Sequence, residues 1–204
     1  MHIPDGFLNT ETIIITNAIS FGFLIYAVKK VNRNLHPARI PLMGVTAAFI
    51  FTSQLLSFPL IGGTSFHLLG GVLISVLLGP FSGLIIMSTS LILQAILLQH
   101  GGILTLGANI LNMGIGGCLL GYLIYKLFKS TLFGAAIAAW ITIVLAAGLC
   151  AVELGISGRV PLKTALFSMS GAHILAGIAE SLITFAVLSA ISKIRPDLLA
   201  LEKT

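Results

Sequence analysis

Charge is what this chain lacks most. Eleven Lys and Arg and six Asp and Glu are spread over 204 residues, so 8% of the chain is charged and 57% is apolar. An average soluble domain carries roughly 25% charged residues, and the deficit excludes that class. The net charge of +5 falls in short clusters between long uncharged runs rather than along one face, a pattern that marks membrane topology and not a nucleic-acid partner. Cysteine is scarce too. Cys118 and Cys150 both lie inside apolar runs, which excludes a disulfide framework or a four-ligand zinc site and makes them small core residues. No Gly-x-x-x-x-Gly-Lys-Ser/Thr stretch occurs, so ATP is not bound here in the P-loop manner. A basic n-region and a small-residue cleavage site are also missing, with Asp5 and Glu11 standing ahead of the first apolar run. The chain is therefore expected to begin at Met1 with a free amine, the bulky His2 protecting the methionine from removal. Roughly ten-residue alternations, the mark of a membrane barrel, are absent as well.

What is present is a series of long apolar runs. A bilayer core about 30 Å thick takes about 20 residues of helix, and seven spans are expected near Thr10–Val28, Leu42–Phe58, His67–Leu78, Phe81–Gln99, Leu106–Phe128, Leu132–Gly155 and Leu162–Lys193. The third is too short to span comfortably, and Gly79-Pro80 separates it from the fourth. The fold class is all-α, a multi-pass membrane helix bundle forming one domain over residues 1–204. With the N-terminus outside, nine basic residues lie inside (Lys29, Lys30, Arg33, Arg39, Lys126, Lys129, Lys193, Arg195, Lys203) and only Arg159 and Lys163 outside. The positive-inside rule thus places the N-terminus outside and the C-terminus inside, and sets His2, His67 and His100 on one outer face.

The opening nonapeptide "MHIPDGFLN" offers three nitrogens in succession: the terminal amine, the His2 amide nitrogen once a metal displaces its proton, and His2 Nδ1. Amine and amide close a five-membered chelate ring, amide and Nδ1 a six-membered one, and the planar peptide holds all three nearly in one plane. A square nitrogen plane suits Ni(II) or Cu(II), whereas Zn(II) prefers a tetrahedron and Mg(II) or Ca(II) prefers oxygen. The turn Ile3-Pro4-Asp5-Gly6 lets the terminus fold back on the bundle mouth. A fourth nitrogen is open to two candidates, His67 at the start of the third span and His100 in "QHGG" at the end of the fourth.

Several blocks resemble the membrane-embedded substrate-binding (S) components of energy-coupling-factor nickel and cobalt transporters, the CbiM/NikM family. They are "MHIPDGFL" at the start, "HLLGG" at His67–Gly71, "LLGP" ending at Pro80, "QAILLQHGG" at Gln94–Gly102, "LGANILNM" at Leu106–Met113 and "GAHILAGIAESLIT" at Gly171–Thr184. The resemblance implies a six-helix core with an extra N-terminal helix. It also implies a divalent metal held by the Met1 amine, the His2 amide and imidazole, and the His67 imidazole, which selects His67 over His100. Cobalt members often expose the histidine by removing a signal peptide, and nothing needs removing here. That leans the cargo towards Ni2+, with Co2+ second, as the chelate itself does. The implied partners are a transmembrane coupling (T) subunit, two cytoplasmic ATPases and, in some systems, a small companion membrane protein, all at a prokaryotic cell membrane.

Imidazole ligands usually donate their other N–H to a fixed acceptor. Asp5, Thr64, Ser65, Asn109 and Asn112 are candidates, each equally suited to helix capping or loop bonding, and His100 is a candidate transient ligand. His173 and Glu180 lie seven residues apart on one face of the last span, and ionisable groups at membrane depth must face protein or water. They fit an exit route for the metal, a buried pair that changes partners, or a static pair locking the helix. Small residues four apart, at Gly44/Ala48, Gly117/Gly121, Ala135/Ala139 and Ala172/Ala176, provide faces for close helix approach. A stand-alone carrier or channel is the rival function. It wants several ionisable residues along a midplane path, and only His173 and Glu180 answer that description. A membrane enzyme ranks last, since a filled nitrogen plane leaves no equatorial position for a substrate.

Overall fold

The computed structural model describes residues 1–37, 39–59 and 65–200, apart from the side chains of Asn34 and Ala200. It is a helical bundle. Asn9 caps α1 (Thr10–Asn34), its side chain accepting from the Thr12 N–H at 2.9 Å, with Glu11 in the first turn and Arg33 in the last to complement the helix dipole. After α2 (Arg39–Leu55) come a two-residue antiparallel ladder pairing Phe58–Pro59 with Ser65–Phe66, the short α3 (Gly71–Leu78) and α4 (Pro80–Leu98). There follow α5 (Leu106–Leu127), α6 (Leu132–Ile156), α7 (Leu162–Ile194) and the terminal turn α8 (Pro196–Ala200). Within α5, residues Ile110–Leu120 wind as a π-helix, a feature that periodicity does not announce.

Five helices among the described residues, α1 and α4 to α7, are long and apolar enough to cross a membrane. α2 has 17 residues, and α3, with 8, rises only about 12 Å. Every residue of α3 is buried, so it is a plug held inside the bundle by its neighbours. The expected third span began at His67, but the helix begins at Gly71. Gly70 adopts φ +71°, and the Leu69 and Gly70 N–H groups are bonded to the Glu180 carboxylate, so His67 lies in an irregular segment ahead of the helix. The second apolar run reaches Phe58 in the sequence, yet Phe58–Pro59 belongs to the small ladder and α2 stops at Leu55.

Small residues decide the packing. A Cβ at Gly71 would stand 2.6 Å from the Gly117 carbonyl carbon, one at Gly121 2.7 Å from Val72, and one at Gly177 2.6 Å from Trp140. Ala135, Ala139, Ala172 and Ala176 are buried along α6 and α7. Three of the four small-residue faces are thus consumed within the chain, and Gly44/Ala48 on α2 stays exposed. Large apolar side chains such as Phe133, Phe167, Leu182 and Ile194 point outward, the arrangement lipid favours and water does not.

Candidate metal centre

The first six residues are pinned rather than frayed. Ile3 and Leu8 are buried, and Ile3 has its main chain fully bonded. Its N–H donates to Asn109 Oδ1 at 2.8 Å, and its carbonyl accepts from Thr105 Oγ1 (2.6 Å), the Gly102 N–H (2.9 Å) and Asn109 Nδ2 (3.1 Å). Asp5 accepts from the N–H groups of Ile103, Leu104 and Thr105 at 3.0, 2.9 and 3.2 Å, knitting the N-terminal turn to the loop that opens α5. Gly101, at φ +88°, and Gly102 lie against this segment, where a Cβ on Gly102 would collide with Asp5 and one on Gly101 would sit 3.6 Å from His2 Nδ1. α1 braces the same loop through Asn17, which donates to the Leu104 carbonyl (2.8 Å) and accepts from the Gly107 N–H (3.1 Å).

Three imidazoles gather around this pinned terminus. The ring centroid of His2 is 4.8 Å from that of His67 and 4.1 Å from that of His100, while His67 and His100 are 6.4 Å apart. His67 is buried, and its Nδ1 lies 3.2 Å from the Leu68 carbonyl oxygen, which assigns the proton to Nδ1 and leaves the Nε2 lone pair bare. His67 Nε2 and both ring nitrogens of His2 are buried without a hydrogen-bond partner among the described residues. A buried polar atom so deprived costs roughly 1–3 kcal/mol, and three within one small volume leave nitrogen lone pairs free to take a ligand. Among the described residues no three His, Cys, Asp or Glu side chains form a ready ligand set; what converges is imidazole nitrogen and the chain terminus.

Electrostatics keep these nitrogens free. Burial pushes the His67 imidazole down to about 3, helped by the terminal amine. His2 lies well below the usual histidine range through burial, then through His67, the terminal amine and His100. Burial also lowers the Met1 amine and His100. All three rings are therefore neutral at pH 7, the form that binds metal. A cavity of about 360 Å³ bounded by Met1, His2, Ser65 and His100 opens beside them.

The other expected residues serve main chain more than imidazole. Asp5 and Asn109 bind backbone, as above, and the acceptor at His67 is its neighbour's carbonyl, Leu68. Asn112 donates to Glu153 Oε2 at 2.7 Å. Ser65 pairs with Pro59 in the ladder and lines the cavity, and Thr64 lies outside the described residues. His173 and Glu180 are both buried, with separate partners. Glu180 accepts from the Leu69 and Gly70 N–H groups, each at 2.8 Å, and His173 Nδ1 faces the Met169 carbonyl at 2.8 Å. Glu153, missing from the expected ionisable set, joins His173 and Glu180 as a buried acid or imidazole within the spans. Its place inside an apolar run was the signal that would have found it. Thr105 and Asn17, which hold the terminus and its loop, had no such signal.

Residues 2–198 match a family model described as the cobalt uptake substrate-specific transmembrane region, CbiM. The chain belongs to this family. Among its relatives is a protein of Archaeoglobus fulgidus named as a fused nickel transport protein, NikMN, 38% identical over 98% of this chain and 68% of that one. A CbiM protein of Methanococcus voltae, named for cobalt transport, is 34% identical over 97% of this chain and 94% of its own. A crystal structure described as a transition metal transporter superposes with a TM-score of 0.88 at 35% identity, covering 95% of this chain and 93% of that one. The CbiM match encloses His2, His67, His100 and the helices α1 to α7 that position them.

Proposed function

We propose that this CbiM-family chain is the substrate-capturing membrane subunit of an energy-coupling-factor importer, with Ni2+ as cargo and Co2+ as the second choice. The ion is held by four nitrogens: the Met1 amine, the His2 amide, His2 Nδ1 and His67 Nε2. One observation carries the reading: the neutral rings of half-buried His2 and buried His67, 4.8 Å apart, hold buried, unpartnered nitrogens beside the chain terminus. Nickel and cobalt relatives support the choice of ion.

Capture requires the amine and the amide to lose their protons, so metal and protons compete for one frame. Burial of the amine favours its neutral form and helps the metal. The ion enters from the cavity at His100 with the N-terminus facing outside the cell. Release follows when a transmembrane coupling subunit, driven by two cytoplasmic ATPases and in some systems joined by a small companion protein, reorients this component and opens the frame inward.

The test is to place one extra residue before Met1 and measure bound Ni2+ in purified protein. Loss of binding is expected, since the amine is then displaced from its chelate ring. Unchanged binding overturns the reading. His67→Ala is expected to abolish tight binding and His100→Ala to preserve it; the reverse outcome transfers the fourth ligand to His100. ATP-independent Ni2+ flux through the chain alone in liposomes would restore the stand-alone carrier.

A further inference from the structure

The N-terminal segment borders two cavities. Met1 and His2 border the outer cavity beside His100, and the same two residues border a second cavity of about 300 Å³ whose wall includes Cys150, Met169 and His173. His173 is only 1% exposed. Its Nδ1 faces the Met169 carbonyl at 2.8 Å, so the proton resides there, and Nε2 is buried with no partner among the described residues. Cys150 is a free, buried thiol, with Met169 packed against its cluster. Residues 169 and 173 are one turn apart on a single face of α7, and Cys150 comes from α6.

Taken singly, each group is ordinary: a small core cysteine, a methionine filling a gap, a histidine bonded to its own helix. Together they put a histidine with an unsatisfied ring nitrogen, a cysteine and a methionine in the wall of one cavity shared with the terminus. Imidazole suits most transition ions, and thiolate with thioether shifts the preference to the softer ones. This is a different donor set from the all-nitrogen frame at the terminus.

We propose that this second cavity is a metal station of its own, taking a borderline-soft divalent transition ion through His173 Nε2 and the Cys150 thiolate, with the Met169 thioether as a weak third donor. It rests on the reading of the chain as a nickel and cobalt carrier, and gives the ion a place to go when it leaves the N-terminal frame. The Cys150 S–H bond breaks as the sulfur–metal bond forms, the proton leaving to solvent with no change in oxidation state.

The experiment is an optical titration of the purified full chain with Co2+, with bound metal counted. A second, weaker equivalent is expected, bringing a near-ultraviolet sulfur-to-cobalt charge-transfer band. Cys150→Ser should delete the band and return the stoichiometry to one ion. His173→Gln should weaken the second equivalent by about 10-fold or more. In both variants the first equivalent should be retained, which also reports an intact fold. A single equivalent with no sulfur band in the unaltered protein overturns the proposal, as does a second equivalent indifferent to Cys150→Ser. Should Cys150→Ser lose both equivalents, His173→Gln decides: an unchanged sulfur band overturns the station, and a weakened second equivalent beside an intact first supports it. A sulfur band without the first, all-nitrogen equivalent would instead overturn the N-terminal frame and leave the second station standing.

Discussion

Asn109 meets Ile3 with both ends of its amide, Oδ1 accepting from the Ile3 N–H at 2.8 Å and Nδ2 donating to the Ile3 carbonyl at 3.1 Å across 106 residues of sequence. A side chain thus takes the place of a neighbouring strand and holds the backbone one residue beyond His2.

Asn109→Ala should therefore loosen the terminus without touching any proposed ligand. It leaves the Ile3 N–H buried and unpaired, at a cost of about 1–3 kcal/mol. Ni2+ affinity measured by calorimetry should fall by about 10- to 100-fold, the range expected for a residue that orients ligands. Asn109→Asp retains the acceptor and should fall in between. An affinity equal to that of the unaltered protein would show that the terminus is held by other means.

Glu180 performs the same service for the other half of the site, since its two carboxylate oxygens take the N–H groups of Leu69 and Gly70 just after His67. Glu180→Ala strands two buried donors and should lower the unfolding free energy by about 2–5 kcal/mol. Glu180→Gln keeps one acceptor and should be milder. Both should weaken Ni2+ binding through a displaced His67, visible as a shift of the nickel d–d spectrum. Lost stability with an unmoved spectrum would confine Glu180 to the fold.

Gly71→Ala tests the packing that seats α3. The new Cβ would stand 2.6–2.8 Å from the Gly117 main chain, which cannot swing aside as a side chain can. Overpacking of this kind costs about 1–3 kcal/mol or more, so the thermal midpoint should drop by several degrees. An unchanged midpoint would mean that α3 and α5 are farther apart than described.

The pH dependence follows from His67. Its folded-state value of about 3 lies below the ordinary 6.5, so between those values the unfolded chain binds a proton that the folded chain refuses. Metal-free protein should lose stability as pH falls through that window, by roughly 1.4 kcal/mol per pH unit for this one group, with His2 adding in the same direction. Thermal melts of metal-free protein from about pH 7 to about pH 4 should show a declining midpoint. A midpoint that rises on acidification contradicts a neutral, buried His67. Bound Ni2+ should be lost over the acidic range as well, because protons compete for its nitrogens.

Long apolar runs, basic clusters and Gly-Pro breaks are local properties, so the helical membrane class and most span boundaries were legible along the chain. α6 was expected to end at Gly155 and ends at Ile156, and α7 was expected to end at Lys193 and ends at Ile194. The chelating potential of Met1-His2 was legible for the same reason, because the ring sizes depend only on adjacent atoms. Nothing local could show that Asn109 and Thr105 bind Ile3, that Glu180 seats the segment after His67, or that His173 and Cys150 border one cavity. Those relationships join residues far apart in sequence whose side chains must satisfy buried donors and acceptors, and only the packing of the bundle chooses the partner.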